Sequence, residues 1–395
     1  MRRALSLLAV VLALCAATPS AQTPPKTLDI YYVDTEGGQA TLFVSPTGQT
    51  VLVDTGNANP PGRDPQRIME AMKAAGAKQI DYLVMTHYHG DHVGGFEELA
   101  KLTKIAHIID HGPTVQPEQK HDAYDQALKT TPYTVAKPGD KVPVTGIDWL
   151  IVSAAGKTLK TNVAGAPGAG KPNPYCAEFK PKDIQSDLEN GQSTGSLITY
   201  GKFRTIDLGD LLWNVEFDLM CPTNRIGTVD LYLTSHHGVD WSGSSTLVHA
   251  LAPRVAIMNN GTRKGGQIAV DEVLESSPGL EDLWQLHWSF NGVTEHNPPG
   301  RFIANIEDAA TTAAIVANPP PPATQPLGPP APRAGGAGGA GGRAGGPAAA
   351  APGAPQLGNP AHSPAYWLKV SAQNDGTFTV FNPRNGFSKT YKPRS

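Results

Sequence analysis

The chain has 395 residues, of which 39% are hydrophobic, and a formal net charge of -3 at pH 7. This near-neutral charge gives no basic field of the kind that attracts nucleic acid, and the length allows one large domain or two ordinary ones. The stretch Met1-Arg2-Arg3, followed by the apolar run 4–17, has the charged and apolar regions of a secretory signal peptide. We therefore expect residues 1–21 to be removed and the mature protein to be periplasmic or extracellular, without a membrane span.

Cleavage of that segment would leave two cysteines, Cys176 and Cys221. They could pair in an oxidising compartment, but nothing in the sequence places them close together, and neither adjoins the histidines. We interpret them as two unpaired cysteines outside any metal site.

The first half of the chain alternates apolar runs with a helical pattern. Strands are predicted at 28–33, 40–44, 50–53, 80–85 and 105–110, and a helix from Asp64 to Ala75 is stopped by Gly76. Polar residues follow three of these strands, at Asp54, at 86–92 and at His111. This alternation predicts a layered α/β domain with its ligands at strand ends.

The second half continues this pattern after a turn-rich segment, 154–193, that we interpret as a lid or rim of the pocket. Strands predicted at 196–200, 203–208, 229–234 and 255–258 precede Asp210, His236-His237 and Asn259-Asn260. The Pro/Gly/Ala-rich residues 318–360 are interpreted as a disordered linker. Residues 361–395 are predicted to form a β-hairpin that docks back on a domain comprising 22–317.

Three imidazoles and one carboxylate fall within six residues in the segment 87–92, His-Tyr-His-Gly-Asp-His. His87 and His89 leave the same face of an extended chain, and Gly90 lets the backbone turn so that Asp91 and His92 point back. Ligands of this kind suit zinc and admit manganese or iron. Because the two pairs lie on opposite sides of the turn, they suit two adjacent divalent ions better than one.

The pattern His87-x-His89-x-Asp91-His92, with a later strand-end Asp and a later His, resembles the metallo-β-lactamase fold superfamily. The segments 34–40, 209–210 and 235–238 further resemble the hydrolase domain of ComEC-type competence proteins and their secreted relatives. The resemblance extends over roughly residues 28–260. It implies a four-layer αββα sandwich.

The resemblance also implies roles for individual residues. The implied metal ligands are His87 and His89 for the first ion, Asp91 and His92 for the second, the bridging Asp210, and His236 to complete the second site. Asp54 would orient ligands from behind, and Asp91 would take the proton of the nucleophile.

Three further residues are expected in the pocket, namely His111, His237 and Asn260. Many members of the superfamily close the first metal site with another histidine, and His111 comes sooner in the chain than that ligand usually does. In the ComEC-like group a polar residue near Ser193 or Ser196 takes that place. Whether His111 binds metal or substrate therefore stays open. Which of His236 and His237 binds metal also stays open, and we favour His236 as the ligand.

These observations predict an exported metal-dependent hydrolase in which a bridging hydroxide attacks a phosphodiester or a related ester. Its expected partner is a small-molecule or polymer ester substrate, and the charge does not single out nucleic acid. An alternative within enzymes is lactone or β-lactam hydrolysis. A non-catalytic, metal-containing binding protein is the alternative from a different class, and the presence of Asp91 argues against it.

Overall fold

The computed structural model describes residues 26–118, 121–184, 188–292, 295–306 and 364–394. The predicted signal peptide, 1–21, and the predicted linker, 318–360, lie outside these residues. No helix in the described part of the chain has the length and apolar composition that crossing a bilayer requires.

The described residues form eighteen strands and six α-helices. The strands are β1 (Leu28–Tyr32), β2 (Thr41–Val44), β3 (Thr50–Val53), β4 (Tyr82–Val84), β5 (Ile108–Asp110), β6 (Tyr133–Val135), β7 (Lys141–Val142), β8 (Asp148–Ala154), β9 (Lys157–Thr158), β10 (Gly195–Tyr200), β11 (Phe203–Asp207), β12 (Leu231–Leu233), β13 (Val255–Met258), β14 (Asp282–His287), β15 (Ile303–Asn305), β16 (Leu368–Ala372), β17 (Phe378–Asn382) and β18 (Phe387–Tyr391). The helices are α1 (Arg63–Ala75), α2 (Phe96–Leu102), α3 (Asp122–Ala127), α4 (Trp213–Met220), α5 (Ser245–Leu251) and α6 (Ile268–Glu275).

The strands make two mixed sheets that pack face to face. The first sheet has the order β18-β17-β16-β1-β2-β3-β4-β5-β6, and the second has the order β15-β14-β13-β12-β11-β10-β8-β7, with β9 paired to β8. Alternate side chains of each strand point to opposite faces, so Ile30 enters the core between the sheets while its neighbour Tyr31 faces the helices. In the second sheet, Leu231 and Tyr232 divide in the same way.

Helices cover the outer face of each sheet and complete four layers. Ile68 and Met72 of α1 and Leu99 of α2 pack on the first sheet, whereas Leu247 of α5 and Leu274 of α6 pack on the second. Gly76 ends α1 with a φ of 69°, in the left-handed conformation that glycine adopts without strain. The predicted αββα sandwich is confirmed.

Parallel pairing fixes where the polar residues after the strands meet. Strands β3 to β6 run parallel in the first sheet, and β11 to β15 run parallel in the second. The carboxyl ends of neighbouring parallel strands lie at one edge of a sheet. The loops after β3 and β4 therefore face those after β11 and β12 across the sandwich.

The last strands of the chain belong to the first sheet. β16 pairs antiparallel with β1, with Leu28 opposite Ala372, and β17 and β18 extend the sheet beyond it. The sequence predicted β16 and β17 but missed β18, whose solvent-facing residues alternate with half-buried ones. Tyr391 of β18 accepts a hydrogen bond from Trp284 of the second sheet, so this third strand also contacts the other half of the sandwich.

The interpretation of Cys176 and Cys221 as unpaired residues is wrong, because the structure joins them in a disulfide. Their Cα atoms lie 5.9 Å apart, within the range that a disulfide spans. Asn173 brings the first cysteine there, since its side-chain amide donates to the carbonyls of Met220 and Thr246. The disulfide joins cysteines 45 residues apart in the chain, and no local sequence pattern reveals it.

Asp271 of α6 is a buried carboxyl that should make the stability of the protein depend on pH. It is 0% exposed, and neither of its oxygens has a hydrogen-bond partner within the described part of the chain. Burial raises its pKa from 3.8 to about 8. The fold therefore holds a proton that the unfolded chain releases near pH 4, and the stability gained from that proton is lost as the pH rises from about 4 to about 8.

We expect Asp271→Asn to remove this dependence. The free energy of unfolding of the variant should match the parent near pH 4 and exceed it at pH 8, by an amount on the order of a few kcal/mol. Urea denaturation at both pH values measures the difference. A gain that is equal at the two pH values would contradict a buried, protonated carboxyl.

Candidate metal centre

The segment 86–92 turns directly after β4 and brings its three histidines and Asp91 together. His87 Nε2 lies 3.1 Å from His89 Nδ1, so both rings leave the same side of the chain as predicted from their spacing. The amide of His92 donates to the carbonyl of His89 at 2.9 Å, which closes the turn at Gly90. Helix α2 begins four residues later, at Phe96. Asp91 and His92 thus come from the turn itself and not from the start of the helix.

Asp210, from the loop after β11, meets these residues from the opposite sheet. Its Oδ2 atom lies 3.2 Å from His92 Nε2, 3.4 Å from both His236 Nε2 and His237 Nε2, and 3.9 Å from His87 Nε2. One carboxylate oxygen therefore faces four imidazole nitrogens that come from both halves of the fold. That position suits a ligand shared by two ions.

His237 lies deeper in the cluster than His236. Asp91, His92, Asp210 and His237 each offer a ligand atom, and these four atoms lie within 4.8 Å of one another. His236 Nε2 lies 3.3 Å from the side-chain amide of Asn190 as well as 3.4 Å from Asp210 Oδ2. The sequence-based preference for His236 as the ligand stays a prediction, because both rings lie 3.4 Å from Asp210 Oδ2.

The backbone explains why both histidines reach the centre. His236 and His237 have φ values of 55° and 57°, in the left-handed region, so they do not alternate as neighbours on a strand do. Both side chains consequently turn into the pocket. Strand alternation therefore does not separate the two side chains.

Asp54 lies behind the cluster and orients His92. Its Oδ2 atom is 2.7 Å from His92 Nδ1, while the amide and hydroxyl of Thr86 donate to its two oxygens at 2.7 and 2.6 Å. The carboxylate is 0% exposed. This contact directs His92 Nε2 towards the cluster, the arrangement by which carboxylates commonly fix histidine ligands of metals.

The two carboxylates of the cluster are held in their charged form. Burial alone would raise the pKa of Asp210, but His237 and His92 bring it well below its ordinary value. For Asp91, burial likewise raises the pKa, and Lys264 and His92 lower it well below the ordinary value. Both side chains are therefore available as anionic ligands.

The histidines differ in protonation. Burial would lower the pKa of His92, yet Asp210 and Asp91 raise it well above its ordinary value. Burial lowers the pKa of His87 well below the ordinary value and that of His236 to about 4. His87 and His236 are thus neutral near pH 7, the form that coordinates metals, and metal binding would displace the proton of His92.

The donor set passes a direct test of fit to divalent ions. The second oxygen of Asp210, Oδ1, is buried and has no hydrogen-bond partner among the residues that the structure describes. A buried carboxylate oxygen without a donor carries a cost that a cation would remove. Imidazole nitrogens and carboxylate oxygens are also the ligands that zinc and similar metals take.

His111 and Asn260 do not reach this cluster. His111 Nε2 lies 2.9 Å from Glu189 Oε1, and its ring packs 4.5 Å from the ring of Tyr88. The amide of Asn260 donates to the carbonyls of Gly261 and His287, and the side chain is 0% exposed. These hydrogen bonds join the loop after β13 to the end of β14.

Ser193 and Ser196 do not aim at the cluster either. The hydroxyl of Ser193 donates to the carbonyl of Asn190, and that of Ser196 accepts from Trp149 Nε1. The side chain that does reach the centre from this segment is Asn190, through its contact with His236. Of the segment 154–193, interpreted above as a lid, it is the end at 189–193 that borders the site.

Sequence reasoning missed Glu189, which ties the histidine segment to the loop after β5. Its oxygens accept hydrogen bonds from the amide of Tyr88 at 3.2 Å, from the amide of Val115 at 2.9 Å and from the hydroxyl of Thr114 at 3.0 Å, besides the contact with His111. The side chain is 0% exposed. An acidic residue near the end of a turn-rich segment, a few residues before a strand, is a signal that could have identified it.

The segment 34–40 packs against the backbone of Asp91 and holds it in place. The amide of Gln39 donates to the carbonyl of Asp91 at 3.0 Å, and its side chain donates to both oxygens of Asp207. A Cβ at Gly38 would overlap the carbonyl oxygen of Asp91, so this position admits only glycine. Sequence reasoning also missed Asp207, because Asp210 was taken as the acidic residue that follows this strand.

A second group of possible ligands, Asp34, Glu36 and His287, lies beside this segment. Arg67 Nη1 lies 3.0 Å from Asp34 Oδ2 and 3.3 Å from Glu36 Oε1, so a guanidinium already neutralises the carboxylates. His287 Nε2 is 2.7 Å from Asp34 Oδ1. The group is an ion-pair network that fixes the segment 34–36, and the presence of Arg67 argues against a cation there.

Part of the chain is similar to known proteins. Residues 34–171 match the family model of the Metallo-beta-lactamase superfamily. The chain is 27% identical over 175 residues to the ribonuclease Z of Methanopyrus kandleri, covering 43% of this chain and 60% of that protein. It is 29% identical over 111 residues to the hydroxyacylglutathione hydrolase of Idiomarina loihiensis, covering 28% of this chain and 35% of that protein.

Among solved structures, the metallo-beta-lactamase fold protein YhfI from Bacillus subtilis aligns with a TM-score of 0.39 and 13% identity, over 65% of this chain and 96% of that one. The chain spans between about a third and 60% of the length of the two curated relatives. Neither relative is a ComEC-type protein, so that finer resemblance stays a prediction. Residues 34–171 of this chain are therefore similar to the Metallo-beta-lactamase superfamily.

Proposed function

We propose that the protein is a hydrolase with two divalent metal ions, zinc in the first instance, and that its substrate is a phosphodiester or a related ester. The observation that carries this proposal is the position of Asp210 Oδ2, which faces His87, His92, His236 and His237 at 3.2–3.9 Å. One shared carboxylate between two sets of ligands is the arrangement that two-metal hydrolysis requires.

The residues divide between two ions and the substrate. His87 and His89 would hold the first ion, Asp91, His92 and His237 the second, and Asp210 both. Ions held there would polarise the attacked group and lower the pKa of a water molecule between them. His236 remains beside the cluster, held by Asn190 and by Ser242 Oγ at 3.4 Å from its Nδ1.

The chain itself supplies orientation and proton transfer. Asp54 keeps His92 in one tautomer and one orientation, through the contact with its Nδ1. Asp91 is 19% exposed at the mouth of the centre, and we propose that it takes the proton of the attacking water. His236, neutral near pH 7, can then contact an oxygen of the substrate.

The choice of a phosphodiester depends on the ComEC-type resemblance of the segments 34–40, 209–210 and 235–238. The names of the two curated relatives, a ribonuclease and a hydroxyacylglutathione hydrolase, support hydrolysis but favour different substrates. Lactone or β-lactam hydrolysis remains the alternative reaction, since the same centre could attack a carbonyl carbon. A binding protein that holds metal without catalysis is the alternative class.

One set of assays separates these alternatives. We expect the purified protein to contain two metal ions per chain and to hydrolyse bis(p-nitrophenyl) phosphate, whereas His89→Ala should lose activity. A chromogenic cephalosporin and a lactone serve as competing substrates. Metal-free protein that is inert on every substrate would exclude the enzyme, and turnover of the cephalosporin or the lactone alone would exclude the phosphodiester preference.

We also propose that the protein is exported, on the basis of residues 1–21. The disulfide between Cys176 and Cys221 supports an oxidising compartment. The mass of the mature amino terminus tests this proposal, since an intact Met1 in material from the cell envelope or the medium would contradict cleavage.

A further inference from the structure

Lys264 lies in a tight turn after β13 that is built onto the centre. The amide of Gly261 donates to the carbonyl of Lys264 at 2.9 Å, and the amide of Gly266 donates to the carbonyl of His237 at 3.2 Å. On the other side, a Cβ at Gly37 would come within 2.9 Å of the Cβ of Lys264. The turn is therefore clamped between the segment 34–38 and His237, and its position is fixed relative to the ligands.

The ammonium group of Lys264 reaches the mouth of the centre. Its Nζ donates to Asp91 Oδ2, the same oxygen that lies 3.2 Å from His237 Nε2 and 3.3 Å from His92 Nε2. Lys264 is 29% exposed and Asp91 19%, whereas His92 and His237 are 0% exposed. The pair thus marks the side from which solvent and a substrate can approach.

We propose that Lys264 binds a negatively charged oxygen of the substrate and so selects anionic phosphodiesters over neutral esters. This inference rests on the proposed function. A carboxylate that coordinates a cation shares its charge, which leaves a neighbouring ammonium group able to turn to another anion. Lysine carries three donors on a flexible stem, so Nζ can keep Asp91 as one acceptor and take a phosphoryl oxygen as a second.

Charge selectivity is testable with two substrates that differ by one methyl group. Bis(p-nitrophenyl) phosphate is an anion, whereas its methyl triester has the same leaving group and no charge. We expect Lys264→Met to lower kcat/KM for the diester by about ten- to a hundredfold, as the loss of a hydrogen bond to a charged group does, and to change that for the triester less than about threefold.

Two further variants and one binding measurement complete the test. Lys264→Arg should retain most of the preference for the diester, and Arg263→Met, which removes the neighbouring cation of the same turn, should leave both rates close to the parent. Calorimetric titration of the metal-loaded protein with inorganic phosphate should show at least about tenfold weaker binding in Lys264→Met. Metal content is measured in every variant.

Each outcome separates the inference from the proposed function. If the parent protein with its metals hydrolyses neither phosphoester, the proposed function fails. If the parent is active but Lys264→Met loses diester and triester equally, or binds phosphate as the parent does, the charge selection is overturned. Loss of metal from Lys264→Met would show that the lysine acts on the metal site through Asp91, and this too would overturn the assignment.

Discussion

Asp210→Asn should lower kcat/KM for a phosphodiester by about a thousandfold, the equivalent of about 4 kcal/mol, and should release at least one of the two bound metal ions. The substitution keeps the shape of the side chain but removes its charge. Oδ2 faces four imidazole nitrogens, and Oδ1 is buried without a donor among the described residues, so an amide at this position loses a shared anionic ligand. Metal analysis and steady-state kinetics on the same preparation measure both effects.

Asp207→Asn is the matched control for this substitution, because Asp207 lies three residues earlier and is also buried. Burial raises its pKa to about 6, and its oxygens accept hydrogen bonds from Gln39 and Gly209 without entering the ligand cluster. We expect this variant to keep its metal and to lose less than about tenfold in kcat/KM. If Asp210→Asn kept both metal and activity, the two-metal proposal would fail.

The parts of the fold and of the site that sequence could predict are those that local patterns determine. His87, His89, Asp91 and His92 lie within one turn, so their convergence follows from spacing alone, and the structure brings their side chains together. The strand ends at Asp54 and Asp210 could be located because apolar runs mark buried strands. The resemblance to the metallo-β-lactamase superfamily then implied that these ends, which belong to different sheets, form one site.

The parts that sequence could not predict depend on contacts between distant segments. Glu189 is 101 residues from Tyr88, and only the folded chain shows that its carboxylate accepts from that amide. The pairing of Cys176 with Cys221 depends in the same way on where Asn173 docks. His236 and His237 both reach Asp210 because both adopt a left-handed backbone, a conformation that propensity does not anticipate for histidine.

A substitution in the turn that carries Lys264 should lower both the stability and the activity of the protein. Gly265 has a φ of 74°, and a Cβ on it would overlap the carbonyl oxygen of His237. We expect Gly265→Ala to lower the free energy of unfolding by about 3 kcal/mol or more, from backbone strain and from the clash together. Urea denaturation measures this loss.

Gly279→Ala separates the two causes. Gly279 has a φ of 87°, also in the left-handed region, but a Cβ there would meet nothing within 4 Å. Its substitution should therefore cost only about 1 kcal/mol, from strain alone. An equal loss in the two variants would show that the turn yields to the added methyl group.

The functional consequence follows from where the clash occurs. The added methyl group would push against the carbonyl of His237. The ring of the same residue contributes to the cluster with Asp91, His92 and Asp210. A displacement of about 1 Å in a catalytic group can lower a rate on the order of a hundredfold. We therefore expect Gly265→Ala to lose activity and metal under conditions where it is still folded, whereas Gly279→Ala, equally strained in its backbone, should retain both.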